Sequence, residues 1–172
     1  MADAATIALA LVAAWWLKRF YSQAGFDDLR WVLTPTTTLV TWATGLPFEL
    51  EPHTSYLNRD HLYEIVPACA GVNFLIAAFA SLVIGLAATR RRWAGRLGLL
   101  AGAAVAAYVT TLLANATRIT IALSLHDWGG AIGPLTPDRL HVIAGVAVYS
   151  AFLLGVFALG AWWTGARRDF AF

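Results

Sequence analysis

Leu97-Gly98-Leu99-Leu100-Ala101-Gly102-Ala103-Ala104-Val105-Ala106-Ala107-Tyr108-Val109-Thr110-Thr111-Leu112-Leu113-Ala114-Asn115-Ala116-Thr117-Arg118 carries no charge until its last residue. A bilayer core takes about 20 apolar residues as helix, so this run predicts a membrane span, placed at 97–123. Comparable runs at 72–89 and 140–163 predict two more. Weaker ones at 4–21 and 31–48 complete a set of about five; the latter holds Pro35 and five threonines between Thr34 and Thr41, which predicts a kinked or partly re-entrant helix. With 59% hydrophobic and 13% charged residues in 172, the chain reads as an all-α integral membrane protein. It leaves no room for a separate soluble domain, so one domain is expected over 1–172. Gly98 and Gly102, four apart among alanines, predict close helix packing, within the bundle or alternatively in a dimer.

Basic residues set the expected orientation. Arg90-Arg91-Arg92 with Arg96, and Arg167-Arg168, flank apolar runs and mark cytoplasmic ends; Lys18, Arg19 and Arg30 are assigned to the same side. Nine of the twelve basic residues then lie inside, and Arg59, Arg118 and Arg139 outside. That count predicts an outer N-terminus and a cytoplasmic C-terminus. Asp3 precedes the first apolar run and Lys18-Arg19 follow it, the reverse of a signal peptide, so this segment reads as a retained helix. The net charge of +2 is accounted for by membrane orientation, and no nucleic-acid partner is expected.

Depth can be read from helical rise. At about 1.5 Å per residue, Arg118 lies about 31 Å from Leu97, His141 a similar distance from Trp162, and Cys69 about 34 Å from Arg92. A hydrocarbon core is about 30 Å thick, which places all three at the outer interface. A thiol, a guanidinium and an imidazole at one level have the makings of a nucleophilic acyl-transfer site.

Each residue also has a plainer reading. Cys69 is the sole cysteine, which excludes an internal disulfide; it is either a small buried apolar group or a thiol activated at a helix start opened by Pro67. If that helix includes both, Asn73 shares its face. Arg118 either snorkels to headgroups or turns inward with Asn115, three residues earlier, to hold an oxyanion. Thr136-Pro137-Asp138 reads as a helix start, which puts His141 one turn in, as a proton carrier or an interfacial histidine. Glu64 and Asp127 either orient the reacting groups or are solvated loop acids. His53, His61 and His126 lie in outer loops without metal-site spacing, so no metal and no cofactor is expected. A haem or quinone carrier would need ligands at matched depth, and only His141 is so placed.

Three blocks in order, Cys69-Ala70-Gly71, Asn115 to Arg118 with Ile119, and His141 opening the last helix, resemble the exosortase and archaeosortase group of membrane-embedded cysteine transpeptidases, most closely the compact exosortase K-like branch. The resemblance covers about 64–160, the expected catalytic core. It implies Cys69 as nucleophile, Arg118 as stabiliser of thiolate or oxyanion, and His141 as proton-transfer group, with Asn115, Asn73 and Glu64 in support. It further implies cleavage, at the outer face of the cell membrane, of a C-terminal sorting signal on secreted proteins: a short motif, a transmembrane helix and a basic cluster. The acyl group then passes to an acceptor the sequence does not identify. Typical relatives are longer, and many have serine where this chain has Ala70. The contrasting expectation is a non-catalytic assembly factor or small transporter that binds an anionic ligand through Arg118 and His141.

Overall fold

The computed structural model describes residues 2–87, 93–128 and 137–163, with the side chains at 2, 3, 85–87, 93, 94, 96, 128, 137, 138, 141 and 161–163 outside that description. Five helices account for most of it: α1 (Ala2–Tyr21), α2 (Arg30–Thr44), α3 (Val72–Ala87), α4 (Trp93–Trp128) and α5 (Pro137–Trp163). Among the described residues, three stretches are helical, long and apolar enough to cross a membrane: 67–84, 97–127 and 142–160. The protein is therefore a helical, multi-pass membrane protein. The arginine clusters at 90–92 and 167–168, and the helix cap expected at Thr136, lie outside the described residues.

The second expected span, 31–48, is replaced by α2, whose 15 residues rise only about 22 Å. That is short of a hydrocarbon core. Gly45 ends the helix in the left-handed conformation (φ +74°), its N–H bonded to the Thr41 carbonyl at 2.8 Å, a common helix stop.

One compact unit comprises Met1–Ser22, Val72–Thr111 and Phe152–Phe172. In it α1 packs along α3, and Lys18 Nζ donates to Asn73 Oδ1 at 2.7 Å. That bond is incompatible with Lys18 inside and Asn73 outside together. A residue at the inner face cannot touch one in the outer first turn of α3 across about 30 Å of hydrocarbon. The two helices run antiparallel, and Lys18 lies at the end of α3 that carries Asn73.

The second unit comprises Gln23–Gly71 and Leu112–Ala151. Here 49–65, expected as a loop, folds into a three-stranded antiparallel sheet of β1 (Glu49–Glu51), β2 (Ser55–Asn58) and β3 (Tyr63–Ile65), in that order. The register pairs Leu50 with Tyr56 and Tyr56 with Ile65. Asn58, fully buried, closes one end of the sheet: its Nδ2 donates to the Pro47 carbonyl at 2.7 Å and its Oδ1 accepts the His61 N–H at 2.9 Å. The sheet is joined to α2 by the Thr34 and Tyr56 hydroxyls, 2.7 Å apart. At the exposed edge Arg59 binds Glu49 at 2.7 Å and Glu51 at 2.5 Å, which raises its pKa, first through the hydrogen bond to Glu49.

Candidate active site

Cys69 is carried by a short 3-10 turn, Pro67–Ala70, that packs on α2. Pro67 suits the first position, where a backbone N–H would have no partner. The Cys69 N–H donates to the Val66 carbonyl at 2.8 Å. Gly71 then turns left-handed (φ +68°), and only after it does α3 begin. The expectation that Pro67 opens α3 and that Cys69 shares a helical face with Asn73 is not met, because the reversal at Gly71 breaks the helical register. The half-buried thiol is free.

Asn115 connects this turn to α4. It is fully buried, and so is Thr111 one turn earlier on the same helix face. Its Nδ2 donates to the Cys69 carbonyl, and its Oδ1 accepts the Tyr149 hydroxyl at 2.9 Å. The assignment of the two amide atoms follows from chemistry: a carbonyl only accepts, so it takes the NH2 and leaves the oxygen for the phenol. Gly71 makes the approach possible, since a Cβ there would stand 3.1 Å from Cγ of Asn115.

Arg118 follows Asn115 by three residues and is half-buried. Its guanidinium sits 5.6 Å from the centroid of the Tyr149 ring, within the range of a cation–π contact. Its methylenes lie against Gly145, where an added Cβ would stand 3.4 Å from Cδ. Its Nε is buried without a hydrogen-bond partner. A held cation with an unused donor is suited to an anion or to an oxygen that gains charge.

Position 141 falls in the opening turns of α5, one helical turn before Gly145 and two before Tyr149 on the same stripe. The His141 side chain lies outside the described residues. Asn73 is exposed, its oxygen taken by Lys18. Glu64 is exposed on β3, paired across the sheet with Leu57. Asp127 accepts a hydrogen bond from Tyr63, which pushes the phenol up to about 12. His61 stacks on the Tyr63 ring and His126 meets its edge, each at 5.5 Å, while His53 bonds Asp27. Among the described residues no three His, Cys, Asp or Glu side chains converge as metal ligands.

Arg118 and Asn115 on one helix, Cys69 held to it through its carbonyl, and position 141 in line with Gly145 keep the order and spacing of the three sequence blocks. The family model of transmembrane exosortases matches residues 3–158. The chain belongs to the transmembrane exosortase family. The match begins at residue 3, well before 64, and ends at 158, so it covers α1, α2 and the sheet as well as nearly all of the expected core. No curated protein and no solved structure matches the chain at a significant level. Tyr149 and Gly145 are not among the candidate residues that the sequence points to. The signal for them was the four-residue spacing His141, Gly145, Tyr149 along the last helix.

Proposed function

We propose that the protein is a membrane-embedded cysteine transpeptidase that cleaves C-terminal sorting signals of secreted proteins at the outer boundary of the cytoplasmic membrane. The observation that carries this reading is the Asn115 amide bound to the Cys69 carbonyl, which brings the turn bearing the only thiol to the helix bearing Arg118. In this proposal the Lys18 end of α1 and the Cys69 end of α3 face outward, and both chain termini face the cytoplasm.

Cys69 gives its proton to His141 and its sulfur bonds the carbonyl carbon of the scissile peptide. The oxyanion that forms is stabilised by the Arg118 guanidinium. As the C–N bond breaks, the leaving amine takes the proton from His141, and a thioester remains. The acceptor then gives a proton to the imidazole, bonds the acyl carbon and releases the thiolate.

The test is Cys69→Ala, expressed in cells lacking related enzymes, with a secreted protein that ends in a motif, an apolar helix and basic residues. Its C-terminal processing should stop while the variant still inserts and folds. Unchanged processing overturns the proposal. Processing that survives Cys69→Ala but is lost in Arg118→Gln identifies the protein as an anion-binding assembly factor or transporter.

A further inference from the structure

We infer that Tyr149 is a positioning residue for the Cys69 reaction, an inference that rests on the transpeptidase proposal. Two independent contacts meet on this one side chain. Its hydroxyl donates to Asn115 Oδ1 at 2.9 Å, and its ring lies 5.6 Å from the Arg118 guanidinium.

The first contact holds the Asn115 amide from its far side. The Cys69 carbonyl only accepts, so it turns Nδ2 toward itself, and the Tyr149 hydroxyl donates to the Oδ1 that is left. Without that donor the buried Oδ1 has no hydrogen, and the amide that anchors the Cys69 turn is held at one end alone. The cost of a buried unpaired acceptor adds to that loss.

The second contact holds the cation. Arg118 has three bonds' freedom beyond its Cβ, and the Tyr149 ring and Gly145 restrict it from one side while Nε keeps a donor unused. Tyr149 therefore couples the orientation of the nucleophile's turn to the position of the charge. Neither function requires it to touch a substrate.

Because Cys69 is the only cysteine, iodoacetamide labelling of the full chain in lipid nanodiscs reports on that thiol alone. The rate is followed from pH 5 to pH 10 for wild type, Tyr149→Phe, Tyr149→Leu and Asn115→Ala, with thermal unfolding as control. Tyr149→Phe keeps the ring and should slow labelling at neutral pH at least threefold. Tyr149→Leu should slow it further and move the pH midpoint upward, as the Arg118 charge drifts. Adding Tyr149→Phe to Asn115→Ala should change nothing more, since both act through one bond.

If the wild-type thiol reacts fast and Tyr149→Phe leaves rate and midpoint unchanged, the inference on Tyr149 is wrong and the transpeptidase proposal stands. A wild-type thiol no faster than that of the unfolded chain overturns the transpeptidase proposal itself. Should Tyr149→Phe not fold, 3-fluorotyrosine at 149 decides: its stronger donor should shift the labelling profile, and an identical profile overturns the inference.

Discussion

Gly71 stands so close to Asn115 that a Cβ on the glycine would lie 3.1 Å from the amide carbon and 3.3 Å from its oxygen. The same glycine holds a φ of +68°. Steric room and backbone conformation therefore make the same demand at one position.

Gly71→Ala should be costly on both counts. A left-handed alanine loses about 1–2 kcal/mol, and the displaced Asn115 amide loosens the Cys69 turn. The variant should unfold at lower denaturant in detergent and lose processing. Gly45→Ala shares the positive φ but meets no neighbour within 4 Å, so it should lose stability alone.

Asn115→Ala leaves the Cys69 carbonyl without its side-chain donor and the Tyr149 hydroxyl without its acceptor. The expected loss is about 1–3 kcal/mol of unfolding free energy. Asn115→Asp should do at least as much harm, because a carboxylate has no hydrogen for the carbonyl. Equilibrium unfolding followed by circular dichroism measures both.

Lys18 and Asn73 should be reached from the same side of the membrane. In a Cys69→Ala background, Lys18→Cys and Asn73→Cys should both react with an impermeant maleimide added outside intact cells, and Arg92→Cys only after the membrane is opened. Labelling of positions 18 and 73 from opposite sides would contradict the antiparallel packing of α1 and α3.

Tyr63 offers a pH signature outside the membrane spans. The Asp127 hydrogen bond raises its phenol to about 12, so the bond's contribution is present below the ordinary value near 10 and fades as pH climbs through 12. Wild type and Tyr63→Phe should thus differ in stability at pH 8 and converge above pH 12. The phenolate absorbance missing from Tyr63→Phe should titrate near 12.

The helical membrane class was legible because long uncharged runs have few other outcomes in water-excluding surroundings. That Asn115 and Arg118 stand one turn apart on the same helix was legible from the sequence. The sheet was not, since Glu49–Glu51, Ser55–Asn58 and Tyr63–Ile65 are each too short to establish an alternation. The contact of Lys18 with Asn73 was not legible either, since a charge pair beside an apolar run is read for the membrane face and not for a partner 55 residues away. The turn at Cys69 was hidden by Pro67, which opens an α-helix and a 3-10 turn equally well.

Two anchors on α4 hold the segment that bears the sole thiol: Asp127 holds Tyr63, and Asn115 holds Cys69. The anchors are twelve residues apart on the helix, about 18 Å. The thiol-bearing segment is thus moored to α4 at both ends and must travel with that helix when it shifts.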